Sequence, residues 1–145
     1  MTGGHPAIAQ FFAEDEWTVD VDELGVSLFA VRGESGEWYG QVWWLDATEQ
    51  LLVYSIMPFP VPESARRAVA ETMGRINAVL SLANFEIDLD DGESRCRTGV
   101  AVAGDRLDAD LVRRAVHANV MATDRFLPLI VRAVNGADPA GLVIE

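Results

Sequence analysis

The stretch that decides the fold is residues 83–99, ANFEIDLDDGESRCRTG, in which two runs of alternating apolar and polar residues flank Asp91-Gly92. An Asp-Gly pair in this setting predicts a β-hairpin with a two-residue turn, because both central residues of a type I′ turn need positive φ. Counting outward from that turn predicts two cross-strand ion pairs, Asp88 with Arg95 and Glu86 with Arg97. The opposite face then carries the apolar side chains of the hairpin, Phe85, Ile87, Leu89 and Cys96.

Upstream of this hairpin, three β-rich runs at 24–32, 38–45 and 51–57 are separated by the turns GESGE and DATEQ and predict a three-stranded meander. The Pro-rich segment 58–62 cannot continue a central strand. A helix is predicted over 63–82, with an apolar face formed by Val69, Met73, Ile76 and Leu80.

A short helix over 7–14 precedes the meander, and a long helix over 107–135 follows the hairpin, with Pro128 expected to kink or split it. The predicted fold class is therefore α+β, in the order α-β-β-β-α-β-β-α, with a twisted antiparallel sheet packed against helices. At 145 residues we expect one domain over 1–145, flexible at 1–6 and 137–145.

The net charge of the chain argues against two classes of partner. The formal net charge is −12, from 11 basic residues, all of them Arg, against 23 acidic ones, which disfavours nucleic acid and anionic membranes as partners. No signal peptide or membrane-spanning segment is recognisable, and a single cysteine fits a reducing compartment, so a cytoplasmic location is expected.

No catalytic, metal or cofactor site is predicted. The acidic run that begins at Asp88 puts Gly92 at position 5, whereas a calcium loop of the EF-hand type needs glycine at position 6. Cys96 is expected to be a buried apolar residue, because the neighbouring arginines point to the other face of the strand. His5 and His117 have no nucleophile or ligand motif beside them.

The aromatic residues of the meander are unusual because both faces of the sheet are apolar there. Alternation places Trp38 and Trp44 on one face and Tyr39 and Trp43 on the other. Two explanations stay open: the first and last helices cover opposite faces within one chain, or one face is covered by another subunit or a bound client. The candidate partner-binding surface comprises Trp38, Tyr39, Trp43, Trp44 and Tyr54.

The helix over 63–82 has a second face of small side chains nearly opposite its apolar face. This face comprises Ala70, Gly74, Ala78 and Ser81. Glycine inside a helix costs about 1 kcal/mol relative to alanine, so its presence there favours a close helix–helix approach. We expect a symmetric homodimer with this stripe at or near the contact.

Three segments together resemble the YbjN family: VPESARRAVAETMGRIN (61–77), LANFEIDLDDGESRCRTGVAVAGDRL (82–107) and HANVMATDRFLPLIVRAVNG (117–136). The resemblance covers about residues 24–136. It implies a small bacterial protein of the kind labelled a sensory transduction regulator, with a fold similar to the class I chaperones of type III secretion, which are acidic homodimers. Conspicuous family positions fall on Asn77, Phe85, Asn119, Asp124, Arg125 and Pro128, and no chemistry is carried over for them.

The leading functional hypothesis is a non-enzymatic, chaperone-like or regulatory domain that acts through protein contacts. The alternative is a small-molecule-binding or enzymatic domain with a pocket between the sheet and the last helix, where Arg125 or Arg132 would anchor an anion. Asp124 is expected to cap or support the helix near Pro128. An enclosed pocket would favour the alternative, and an exposed aromatic strip the leading hypothesis.

Overall fold

A six-stranded antiparallel sheet forms one layer of the structure and three helices form the other, in a computed structural model that describes residues 4–144. The strand order is β1-β2-β3-β4-β6-β5. The elements are α1 (Pro6–Glu14), β1 (Val19–Val21), β2 (Ser27–Arg32), β3 (Glu37–Leu45), β4 (Gln50–Ile56), α2 (Arg66–Asn77), β5 (Asn84–Ile87), β6 (Ser94–Ala101) and α3 (Ala109–Val134). The predicted α+β class is confirmed, and β1, which pairs with β2, is an additional strand that the sequence did not predict.

All three helices lie on one face of the sheet, which we call the inner face. Side chains alternate along each strand, so every second residue joins the core between the two layers. The buried inner-face residues of the sheet include Phe29, Val31, Trp38, Val42, Trp44, Leu51, Val53, Phe85 and Cys96. Gly40 also lies on this face, and only glycine fits there because a β-carbon would overlap the ring of Phe29. The opposite, outer face carries no helix among the described residues.

The predicted register of the β5–β6 hairpin is wrong by two residues. Glu86 pairs with Arg95 and Phe85 with Cys96, and the hairpin closes with a longer loop, in which the Asp88 N–H donates to the Glu93 carbonyl at 2.8 Å. A shift of two keeps Phe85, Ile87 and Cys96 on their predicted face. The prediction for Leu89 is wrong, since this residue lies in the loop and its side chain is exposed. Glu86 now lies between two arginines, 2.6 Å from Arg95 and 3.8 Å from Arg97.

A tertiary contact explains the longer loop. Gly92 has φ +81° and packs so closely on the Pro-rich segment that a β-carbon would overlap the Val61 carbonyl. The Val61 N–H donates to the Gly92 carbonyl at 2.9 Å, and Arg66 donates to the carbonyls of Leu89 and Asp90. The loop is therefore shaped by its contacts with the start of α2 and not by the Asp-Gly pair alone.

The helices differ from prediction at their ends. α2 stops at Asn77 instead of residue 82, because the Asn77 side chain turns to bind the backbone of β5. α3 begins after Asp108, whose carboxylate accepts from the Leu111 N–H at 2.8 Å. α3 is not split at Pro128, since Phe126, Leu127 and Ile130 are buried and hold both halves of the helix on the sheet.

Both ends of the described chain contact the rest of the fold. His5 caps α1 by accepting from the Ala7 N–H at 3.1 Å, and its Nε2 lies 2.7 Å from the Gly104 carbonyl. Leu142 is buried after the short 3-10 helix Pro139–Gly141. Residues 1–3 and 145, which belong to the termini expected to be flexible, lie outside the described residues, and that expectation stays a prediction. Within 4–144, no helix is long and apolar enough to span a bilayer.

Candidate functional site

The outer face of the sheet presents two cross-strand rows of side chains. One row runs Leu28, Gln41, Tyr54 and Arg97, and the other runs Ala30, Tyr39, Ile56, Arg95 and Glu86. Trp43 and Leu52 form a further pair beside the first row. This surface is largely apolar across the middle of β2, β3 and β4, has the Arg32–Glu37 ion pair at one end, and becomes charged again at β6.

Three aromatic residues of the outer face differ in exposure. Tyr39 is 71 % exposed, whereas Tyr54 is only 8 % exposed. The Arg95 guanidinium lies 4.6 Å from the centre of the Tyr54 ring and covers it. Trp43 is half-buried, and its Nε1–H donates to the Gln41 side chain at 2.9 Å. Tyr39 is thus the aromatic side chain that this face presents to solvent.

The five aromatic residues of the candidate surface do not share a face. Trp38 and Trp44 belong to the inner face and are 2 % and 3 % exposed. The Trp38 Nε1–H donates to Ser55 Oγ at 2.9 Å inside the core. We therefore correct the candidate surface: Tyr39, Trp43 and Tyr54 remain on the outer face, and the other two tryptophans stabilise the fold.

Charge on the outer face differs from that of the chain as a whole. The outward positions of the six strands carry three arginines, Arg32, Arg95 and Arg97, and three acidic residues, Asp20, Glu37 and Glu86. The chain has a net charge of −12. The outer face is therefore close to neutral on a strongly acidic molecule.

Two open grooves meet at Tyr39. The larger, of about 1000 Å³, is lined by Tyr39, Phe59 and Pro60 and has Asp91 and Glu93 on its rim; we call it the loop-side groove. The smaller, of about 670 Å³, is lined by Leu28, Trp17 and again Tyr39, with Glu16 and Asp20 on its rim; we call it the β1-side groove. Ala30 also lines both grooves, so the Tyr39 side chain is a ridge between two concave surfaces.

The space between the sheet and α3 is filled, around Asn119, by a buried hydrogen-bond network. Asn119 Oδ1 accepts from the Ser55 hydroxyl at 2.6 Å. Asn119 Nδ2 donates to the carbonyls of Val53 and Cys96 at 3.2 and 3.0 Å and lies 3.2 Å from Thr98 Oγ1. The two grooves described above meet at Tyr39, and neither is the predicted pocket between the sheet and the last helix.

Asp124, expected to cap or support the helix near Pro128, instead holds the β2–β3 turn against α3. Its carboxylate accepts from the Glu34 and Ser35 N–H groups at 3.1 and 2.8 Å and from the Ser35 hydroxyl at 2.7 Å. The backbone hydrogen bond from Ser35, followed by the one from its hydroxyl, lowers the pKa of Asp124. Arg125 and Arg132, the candidate anion contacts, are exposed on α3.

Two further residues, Asn77 and Cys96, have structural roles. Asn77 donates to the Phe85 carbonyl at 3.0 Å and accepts from the Phe85 N–H at 2.8 Å, so one side chain replaces a missing strand partner for β5. Burial raises the pKa of the Cys96 thiol to about 12, which leaves it protonated and inert at neutral pH. These side chains, like Asn119 and Asp124, join elements of the fold.

The small-residue stripe is divided by the early end of α2. Ala70 and Gly74 lie on the helix, Ala78 follows its last residue, and Ser81 lies beyond it. Gly74 is exposed, and a β-carbon there would have nothing within 4 Å. Two large apolar side chains, Val79 and Leu82, are exposed in the segment after α2.

Sequence reasoning missed most of the groove residues. The outward direction of Leu28 follows from strand alternation, so a signal for this residue existed. Glu16 and Glu93 lie in loops, and no periodic pattern connects them with Tyr39. Only the folded chain brings them to the same surface.

The fold and the site together define an α+β domain in which helices cover one face of an antiparallel sheet and no helix among the described residues covers the other face. The chain belongs to the YbjN family, described as "Putative bacterial sensory transduction regulator", whose model matches residues 6–131. This confirms the resemblance drawn from the sequence.

Two solved structures share the fold. YbjN from E. coli, whose crystal structure is described as that of a putative transcription regulator, is 12 % identical with a TM-score of 0.58, covering 84 % of this chain and 89 % of its own. A chain of the HopA1–SchA chaperone–effector complex is 13 % identical with a TM-score of 0.50, covering 90 % and 91 %. Among curated proteins, none matches the sequence.

Proposed function

We propose that this protein is a non-catalytic, chaperone-like or regulatory domain that binds a protein partner on the outer face of its sheet. The observation that carries the proposal is Tyr39, a large aromatic side chain that is 71 % exposed at the centre of a near-neutral apolar face. Exposed apolar patches of this kind mark protein-binding surfaces, and aromatic residues dominate the energy of such contacts. A structural relative comes from a chaperone–effector complex, which supports the same role.

The polar groups of the inner face also support the assignment of partner binding to the outer face, because most of them are already hydrogen-bonded within the protein. Polar side chains there, such as Asn119, bind the protein's own backbone and have few groups left for a substrate. The alternative, a small-molecule or enzymatic site between the sheet and α3, gains no support from this packed region. A cytoplasmic location, consistent with the free buried Cys96, is part of the same proposal.

We place a homodimer contact on the exposed side of α2 and the segment that follows it. Gly74 leaves room for a second helix, and the exposed Val79 and Leu82 supply apolar surface beside it. The resemblance to the class I chaperones of type III secretion implies a homodimer, and most such assemblies are symmetric, which supports a twofold contact of this kind. The outer face stays free for a partner in this arrangement.

Affinity capture from the native host with a matched pair of variants tests the proposed function. Tyr39→Ala and Met121→Ala each remove a large exposed apolar side chain, since Met121 is 70 % exposed on α3. We expect proteins captured by the native chain to be captured equally by Met121→Ala and lost with Tyr39→Ala. Equal capture by all three proteins would place the binding surface elsewhere, and turnover in a broad hydrolase and phosphatase screen would contradict the non-catalytic assignment.

A further inference from the structure

The charges at the far ends of the two grooves differ from the charge at their centre. On the loop-side groove, Arg32 and Glu37 neutralise each other at 2.8 Å, while Asp91 and Glu93 form no ion pair with any described residue. The Asp91 carboxylate accepts from the Glu93 N–H at 2.7 Å, which fixes its position at the rim. This groove therefore ends in two carboxylates without a counter-charge.

The β1-side groove ends in the same way. Asp15 on its rim is neutralised by Arg113 at 3.0 Å, whereas Glu16 and Asp20 form no ion pair with any described residue. Between the two acidic ends lie the apolar side chains of Leu28, Ala30 and Tyr39. Each groove therefore has its own pair of unpaired carboxylates, and the two grooves share the apolar side chains of Ala30 and Tyr39.

We propose that the occupant of this surface is a polypeptide segment of a partner protein with an apolar or aromatic centre and Lys or Arg residues on both sides of it. The inference rests on the proposed function and names the chemistry of its partner. Apolar side chains of the segment fill the two grooves on either side of the Tyr39 ring. Its basic side chains reach Asp91 and Glu93 at one end and Glu16 and Asp20 at the other, where opposite charge favours association and selects the partner.

Charge also argues against a second copy of this chain at the same place. Each copy has a net charge of −12, and the rims of both grooves would bring unpaired carboxylates of two copies together. Like charges facing each other at an interface disfavour that pairing. A basic segment meets no such penalty.

Titration of the intact protein with two synthetic peptides tests the inference. One peptide has an aromatic and apolar centre with lysines at both ends, and the other has glutamates in place of the lysines. Calorimetry should show binding of the lysine peptide, weaker in high salt, and no binding of the glutamate peptide. Tyr39→Ala should lower the affinity for the lysine peptide by about tenfold or more, since it removes the central apolar contact.

Charge-neutralising variants test whether the two acidic ends of the surface contact the peptide. Two double variants remove the charges: Asp91→Asn with Glu93→Gln, and Glu16→Gln with Asp20→Asn. Each should lower the affinity for the lysine peptide by about threefold to tenfold and make that affinity less dependent on salt. The control, Asp105→Asn at an exposed position before α3 that lines neither groove, should bind like the native protein.

Equal affinity for both peptides, or unchanged affinity in the two paired variants, overturns the inference. If Tyr39→Ala still weakens binding in that case, the outer face stands as the binding surface and the proposed function survives. Failure of the lysine peptide to bind at about 1 mM also overturns it, as does self-association that Tyr39→Ala abolishes, because the occupant would then be a second copy. Whether the outer face binds a partner at all is decided separately, by the capture experiment.

Discussion

Asn119 on α3 accepts a hydrogen bond from the Ser55 hydroxyl on β4 at 2.6 Å, and both side chains are fully buried. The Ser55 hydroxyl in turn accepts from the Trp38 indole, so three elements are joined through one polar chain. A buried polar network of this kind is stabilising only when every member has a partner. The contact ties α3 to β4 on the inner face of the sheet.

Replacing Asn119 by leucine should lower the free energy of unfolding by about 2–4 kcal/mol, because Ser55 and two strand carbonyls lose a buried partner. Urea denaturation measures this. Asn135→Ala, at an exposed position just after α3, is the control and should change stability by less than about 0.5 kcal/mol. Equal effects of the two substitutions would show that the network contributes nothing.

Two buried serines on the inner face should respond in opposite ways to alanine. Ser94 Oγ is buried without a hydrogen-bond partner among the described residues, whereas Ser55 Oγ has two partners. Ser94→Ala should be neutral or stabilising because it removes an unpaired hydroxyl from the core, and Ser55→Ala should cost about 1–3 kcal/mol. Thermal unfolding of the two variants side by side measures the difference. A larger loss in Ser94→Ala than in Ser55→Ala would contradict the prediction.

Asp124 should make stability depend on pH. Its pKa is lowered in the folded state, so its carboxylate stabilises the fold at pH above the ordinary aspartate range and loses this effect as the pH falls through the folded-state pKa. Asp124→Asn should therefore be destabilising at pH 7, and its deficit relative to the native protein should shrink below about pH 4. Urea denaturation across this range measures the deficit. A deficit that does not change with pH would exclude the carboxylate as its source.

Cys96 should react with thiol reagents only when the protein unfolds. Its thiol is fully buried and burial raises its pKa to about 12, so almost no thiolate is present at neutral pH. Labelling with a disulfide reagent should be slow in buffer and complete in urea. Rapid labelling of the native protein would show that β6 opens readily.

Gly74→Arg should abolish the proposed homodimer without unfolding the chain, because a side chain at this position enters open space. Light scattering measures the mass, and circular dichroism verifies the fold. Met121→Arg, at an exposed position on α3, should remain dimeric. A native protein that is monomeric at tens of micromolar contradicts the dimer, and a Gly74→Arg protein that remains dimeric moves the contact away from α2.

The sequence determined the family, the order of the elements other than β1, and the faces of the strands it predicted. Alternation in 38–45 assigned Trp38 and Tyr39 to opposite faces, because side-chain direction along a strand has a period of two and needs no tertiary information. The tertiary structure decided which face is covered, since all three helices lie on the Trp38 side. It also set the register of the β5–β6 hairpin through the packing of Gly92 on Val61, and it brought Glu16 and Glu93 to opposite ends of one surface. These features depend on contacts between residues far apart in the chain, and no local periodicity encodes them.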